Sequence, residues 1–75
     1  MTREEFISEL EFIFNTAEGS LTPETELGSL RGWDSIGMLS VITLIVQLGT
    51  TANVDRLQEA KTVSDLVDQV GDKLN

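Results

Sequence analysis

Ser35 is the residue whose chemistry stands out. It follows Gly32-Trp33-Asp34 at the end of a polar, glycine-bearing stretch and opens the most apolar run of the chain, Ile36 to Leu48. This places Ser35 at the N-cap of a helix, with Asp34 favoured by the positive end of the helix dipole. By position alone, a serine there is a cap and nothing more. As a reactive group it would need help that the chain lacks. There is no histidine and no cysteine, which removes the commonest general base, the reactive thiol and the usual zinc ligands. Any catalysis would rest on Asp, Glu, Ser or Lys alone. No catalytic residue and no metal site is assigned.

Size and charge narrow the classes further. Seventy-five residues make one domain, residues 1–75, too small to enclose much water-free volume and burying only about 60% of its unfolded surface. An independent enzyme is not expected. Thirteen acids against five bases leave a net charge of −8. That field repels nucleic acid and anionic lipid and suits a protein partner with a basic patch. The run from Ile36 to Leu48 falls short of the roughly 20 apolar residues of a membrane span. No signal peptide is read at Met1-Thr2-Arg3-Glu4-Glu5, so a cytoplasmic monomer without membrane insertion is expected.

The spacing of apolar residues predicts an all-α fold. Thr2 and Glu5 form a capping-box pair, after which Phe6, Leu10, Ile13, Phe14 and Ala17 mark a buried helical stripe bordered by Ile7. Phe12 falls on the far side, exposed or packed against the next loop. Asn15 to Ser20 closes the helix, with Gly19 as terminator. Residues 20–34 form a long loop punctuated by Pro23, Gly28 and Gly32, with Leu21, Leu27, Leu30 and Trp33 as anchors. A second helix runs from about Ser35 to Leu48, apolar nearly all round and hence central, with Gly49 as its stop. Its polar stripe is Ser40, Thr43 and Gln47, with Ile36 at the upper end. A short third helix is capped by Asn53 and turns Val54, Leu57 and Ala60 inward. The last begins at Thr62, helped by Asp65, and carries Val63, Leu66, Val67, Val70 and Leu74 inside. The expected architecture is a four-helix bundle of three longer helices and a short third one, with a long loop between the first two.

Gly32-Trp33-Asp34-Ser35-Ile36 resembles the attachment site of acyl carrier proteins, whose signature is Gly-x-Asp-Ser-Leu or -Ile. The likeness extends over nearly the whole chain, in length, acidity, helix order, the long first loop and the Ala60-Lys61-Thr62-Val63 turn. The resemblance implies that Ser35 accepts 4'-phosphopantetheine from coenzyme A. Acyl groups would then ride as thioesters on the arm's thiol. Asp34 would help a phosphopantetheinyl transferase recognise the site. The arm's phosphodiester would sit at a helix N-terminus, which suits an anion. Gly37 would leave the arm room to depart. Trp33 reads first as a loop anchor. The partners implied are that transferase and the acyl-transferring or condensing enzymes of the pathway. An esterase with a Gly-Asp-Ser-Leu motif is excluded by the intervening Trp33, the missing histidine and the short chain.

The chain departs from the family in one respect. Many acyl carriers bear glutamates on the second helix, whereas Ser35 through Asn53 carries no charge here. Docking would fall to Ile36, Ser40, Thr43 and Gln47, and the implied role is a specialised fatty-acid, lipid or polyketide-type pathway. A peptidyl or aminoacyl carrier, or an unmodified interaction domain of the same fold, are the alternatives. Met38, Leu39, Ile42, Leu44, Ile45, Val46, Leu57, Val63 and Leu66 form either an ordinary core or one that opens for the acyl chain.

Overall fold

The computed structural model describes residues 1–74. It is an all-α four-helix bundle: α1 (Arg3–Phe14), α2 (Ser35–Gln47), α3 (Val54–Glu59) and α4 (Val63–Gln69), with 3-10 turns at Leu27–Ser29 and Gly71–Lys73. The long loop lies between α1 and α2, and α1 packs against both α2 and α4.

Each helix start follows from local hydrogen bonding. Thr2 and Glu5 close a capping box, the Glu5 N–H donating to Thr2 Oγ1 at 3.1 Å and the Thr2 N–H to Glu5 Oε1 at 2.9 Å. Asn53 Oδ1 accepts from the Arg56 N–H. Thr62 and Asp65 repeat the box at α4. Asp65 also accepts from the Lys61 N–H at 2.8 Å. Backbone donors hold both box carboxyls below the ordinary carboxylate range: the Thr2 N–H for Glu5, the Lys61 and Thr62 N–H groups for Asp65. A carboxyl lowered in the folded state stabilises the fold above its unfolded pKa. That contribution disappears as pH falls through the folded value. The amides of these two first turns should therefore lose hydrogen-exchange protection on acidification sooner in the wild type than in a Glu5→Gln/Asp65→Asn variant, whose boxes do not titrate.

Three expectations for the helices need correction. α1 ends at Phe14, not near Gly19, because Asn15 adopts the left-handed conformation (φ 56°) and sends its N–H back to the Glu11 and Phe12 carbonyls. Ala17 therefore lies outside the helix and is exposed. α4 stops at Gln69, and the chain continues as a 3-10 turn starting at Gly71. The tighter turn still delivers Val70 into the core and Leu74 against it. In α3 only Leu57 is fully buried; Val54 is exposed and Ala60 is half-buried, since six residues provide little more than one inward turn.

The core is Phe6, Leu10, Phe14, Leu21, Leu27, Val41, Leu44, Ile45, Leu57, Val63, Leu66, Val67 and Val70. Leu21 and Leu27 belong to it, and Leu30 and Trp33 pack against it, so the loop is anchored as its leucines suggested. Backbone bonds fasten the same loop to the start of α4. The Leu27 N–H donates to the Lys61 carbonyl at 2.8 Å, the Val63 N–H to Thr25 at 3.0 Å and the Ser64 N–H to Pro23 at 2.9 Å, with an antiparallel bridge between Glu26 and Thr62. A single bridge pair has no alternating pattern to betray it in sequence.

Glu11 is the one charged residue buried among the described residues, at 5% exposure. Its Oε2 accepts from the Leu21 N–H at 3.1 Å and ties the loop entrance to α1. Glu11→Ala should cost about 1–3 kcal/mol because it leaves a buried N–H without an acceptor. Glu11→Gln keeps an oxygen acceptor and should recover most of that loss in urea denaturation. Equal midpoints for the two variants would show that this bond contributes nothing.

Candidate functional site

The loop ends in a packing arrangement built on two glycines. A Cβ on Gly32 would lie 2.8 Å from the Phe14 Cα, and one on Gly37 would run into the Gly32 carbonyl oxygen. The loop backbone is thus pressed between α1 and the first turn of α2. Gly37 is buried for this reason. The close approach, rather than room for a departing group, accounts for its lack of a side chain. Beside it, the Phe14 and Trp33 rings meet edge to face, with centroids 5.8 Å apart and planes at 86°.

Asp34, not Ser35, is the N-cap of α2. Its Oδ1 accepts from the Gly37 N–H at 2.9 Å, and its extended backbone (φ −132°, ψ −170°) turns the chain into the helix. Ser35 is the first helical residue and is exposed. Because the aspartate takes the capping donor, the serine hydroxyl is left without an intramolecular partner among the described residues. The Ser35 and Ile36 N–H groups belong to the unpaired first turn of a thirteen-residue helix. They and the helix dipole favour an anion there. A phosphodiester on the Ser35 oxygen fits this place: the hydroxyl is accessible, and the cap survives its modification.

A groove of about 240 Å³ opens from Ser35 between α2 and α3, lined by Met38, Leu39, Ile42, Val54 and Gln58. Of the residues considered for an opening core, Met38, Leu39 and Ile42 line this groove. Leu44, Ile45, Leu57, Val63 and Leu66 are closed in the core, and Val46 faces outward.

On the expected docking stripe, Ile36 is 75% exposed, Thr43 and Gln47 are exposed and Ser40 is half-buried. The Thr43 hydroxyl donates to the Leu39 carbonyl at 3.0 Å. The stripe is more apolar than its polar members suggested, since Leu39 and Val46 are 64% and 57% exposed beside it. α2 is therefore not wrapped on nearly all sides. A wheel places both residues within a turn of Ile36 and Thr43, so the signal was there, masked by the overall apolarity of the helix. Phe12, at 85% exposure, lies on the outer face of α1.

Among the described residues, no helix is long and apolar enough to cross a membrane. Comparisons with family models, with curated proteins and with solved structures find no match. What stands is a small four-helix domain compatible with a carrier-type bundle, with an exposed serine at the head of its second helix.

Proposed function

We propose that this protein carries acyl groups as thioesters on a 4'-phosphopantetheine arm attached to Ser35. The observation that carries the reading is the division of labour at the start of α2: Asp34 caps the helix and leaves the neighbouring serine hydroxyl exposed and uncommitted. A serine whose role was to cap would point its oxygen back at the first turn. The arm, when bound, supplies the thiol that a cysteine-free chain lacks. The chain's own part is to present the hydroxyl, to hold the phosphate charge at a helix N-terminus, and to offer the Ser35 groove beside the arm. No base accompanies Ser35, and none is required, because the transferase activates the hydroxyl and pathway enzymes act on the thioester.

The partners on this reading are the transferase and the acyl-transferring or condensing enzymes of one pathway. The charge-free α2, with its exposed Ile36, Leu39 and Val46, favours recognition by shape and apolar contact over long-range attraction. This supports a specialised carrier rather than one serving general fatty-acid synthesis. The test of the central claim is intact mass. After incubation with coenzyme A and a broad-specificity transferase, the chain should gain one phosphopantetheine, localised by peptide mapping to Ser35. An unmodified chain would overturn the reading.

A further inference from the structure

A second groove lies between the loop and the turn joining α3 to α4. It measures about 500 Å³ and is lined by Glu26, Gly28, Trp33, Ala60, Lys61 and Thr62. Ligand clefts typically measure about 300–1,000 Å³. The Trp33 groove falls in that range and the Ser35 groove of about 240 Å³ falls below it. The two linings also differ in kind. The Ser35 groove is made largely of Met, Leu, Ile and Val side chains. The second combines a half-buried indole with one basic and one acidic residue, Lys61 and Glu26.

We infer that the Trp33 groove holds the cargo end of the arm and selects for an aromatic acyl group. This rests on the carrier reading of Ser35. An aromatic ring gains from Trp33 through ring–ring geometry that a saturated chain cannot match. The indole is held in place by Phe14 at a near-right angle, so the wall is ordered before cargo arrives. Trp33 is two residues from Ser35, a backbone span of at most about 7 Å. The groove is therefore well within reach of a pantetheine arm. Tethering also relaxes the affinity required. A short flexible linker gives an effective concentration in the millimolar range, so a groove with millimolar affinity is substantially occupied.

The chain has a single tryptophan and no tyrosine, so its emission reports on this wall alone. Apo, holo, benzoyl-loaded and octanoyl-loaded forms are prepared from coenzyme A and its thioesters, each verified by intact mass, and Trp33 is quenched with acrylamide. The benzoyl form should be quenched about twofold less than the holo form, and the octanoyl form should match the holo form. Gly28 lines the groove and a Cβ there meets nothing within 4 Å, so Gly28→Leu is the variant chosen to occlude it. In that variant the benzoyl and holo forms should quench alike while the mass gain is retained. A fully loaded benzoyl form quenched like the holo form would overturn the inference and leave the carrier reading intact. Equal protection by octanoyl would overturn the aromatic preference. No mass gain in any form would remove the arm, and both readings with it.

Discussion

Ser35→Ala should abolish phosphopantetheine transfer completely while leaving the melting temperature near that of the wild type. Both halves follow from the start of α2. The hydroxyl is the only atom of the motif that the reaction would consume, so its removal leaves nothing to modify. The same hydroxyl holds no part of the fold together, because the Gly37 N–H is already bonded to Asp34, and alanine is a good helix former at the first position. Asp34→Ala should behave in the opposite way. It removes the cap and should cost about 0.5–2 kcal/mol, with the hydroxyl still present. Asp34→Asn separates the two duties of that residue, since asparagine caps as well as aspartate. It should fold like the wild type, and any loss in transfer rate would then report the carboxylate's charge. Intact mass gives the first quantity and thermal denaturation the second. A Ser35→Ala variant that still gains one arm would end the carrier reading at this residue. One that melted far below the wild type would show that the serine supports the helix after all.

Gly37→Ala should destabilise the domain strongly, by about 1–3 kcal/mol or more, against the usual trend for such a change. Glycine to alanine inside a helix ordinarily gains about 1 kcal/mol. Here the added methyl meets the Gly32 carbonyl oxygen, a backbone atom that cannot rotate aside. To relieve the clash the loop must lift from α2, and the loop is itself held by the Phe14 backbone behind Gly32. Overpacking therefore outweighs the helix-propensity gain. In a domain of this size each kcal/mol shifts the melting temperature by roughly 4–8 °C, so the effect is large in a thermal scan. Gly28→Ala is the control, because its Cβ meets nothing within 4 Å and its melting temperature should barely move. An unchanged or raised melting temperature for Gly37→Ala would show that the two backbones are not in close contact.

These two variants also mark the limits of reading the chain as a string. Four helices, the long loop and its leucine anchors were legible because each has a local cause. Thr2 with Glu5, Asn53, and Thr62 with Asp65 are capping signals complete within four residues. The inward stripes of α1 and α4 follow from helical spacing, which needs no knowledge of the neighbours. The placement of Asp34-Ser35 at the head of an apolar helix is equally local, and so is its resemblance to a carrier site. Which of the two residues takes the cap is not, because both are good caps and only the packed loop fixes the entry angle of the backbone. Gly37 could not be interpreted from α2 alone, since its reason is a carbonyl five residues earlier, brought close by the anchoring of the loop on Phe14. Glu11 reads as one more surface acid until Leu21 is folded over it and presents an N–H. The exposure of Leu39 and Val46 depends on which side of α2 the other helices cover. The Trp33 groove exists only where the loop meets the α3–α4 turn, through bonds from Leu27 and Val63 that span more than thirty residues of sequence. Sequence determined the elements and the placement of Ser35 at the head of α2, because caps, periodicity and charge act over a turn or two. The tertiary structure decided the cap, the role of the glycines and the grooves, because each is a contact between segments that only packing brings together.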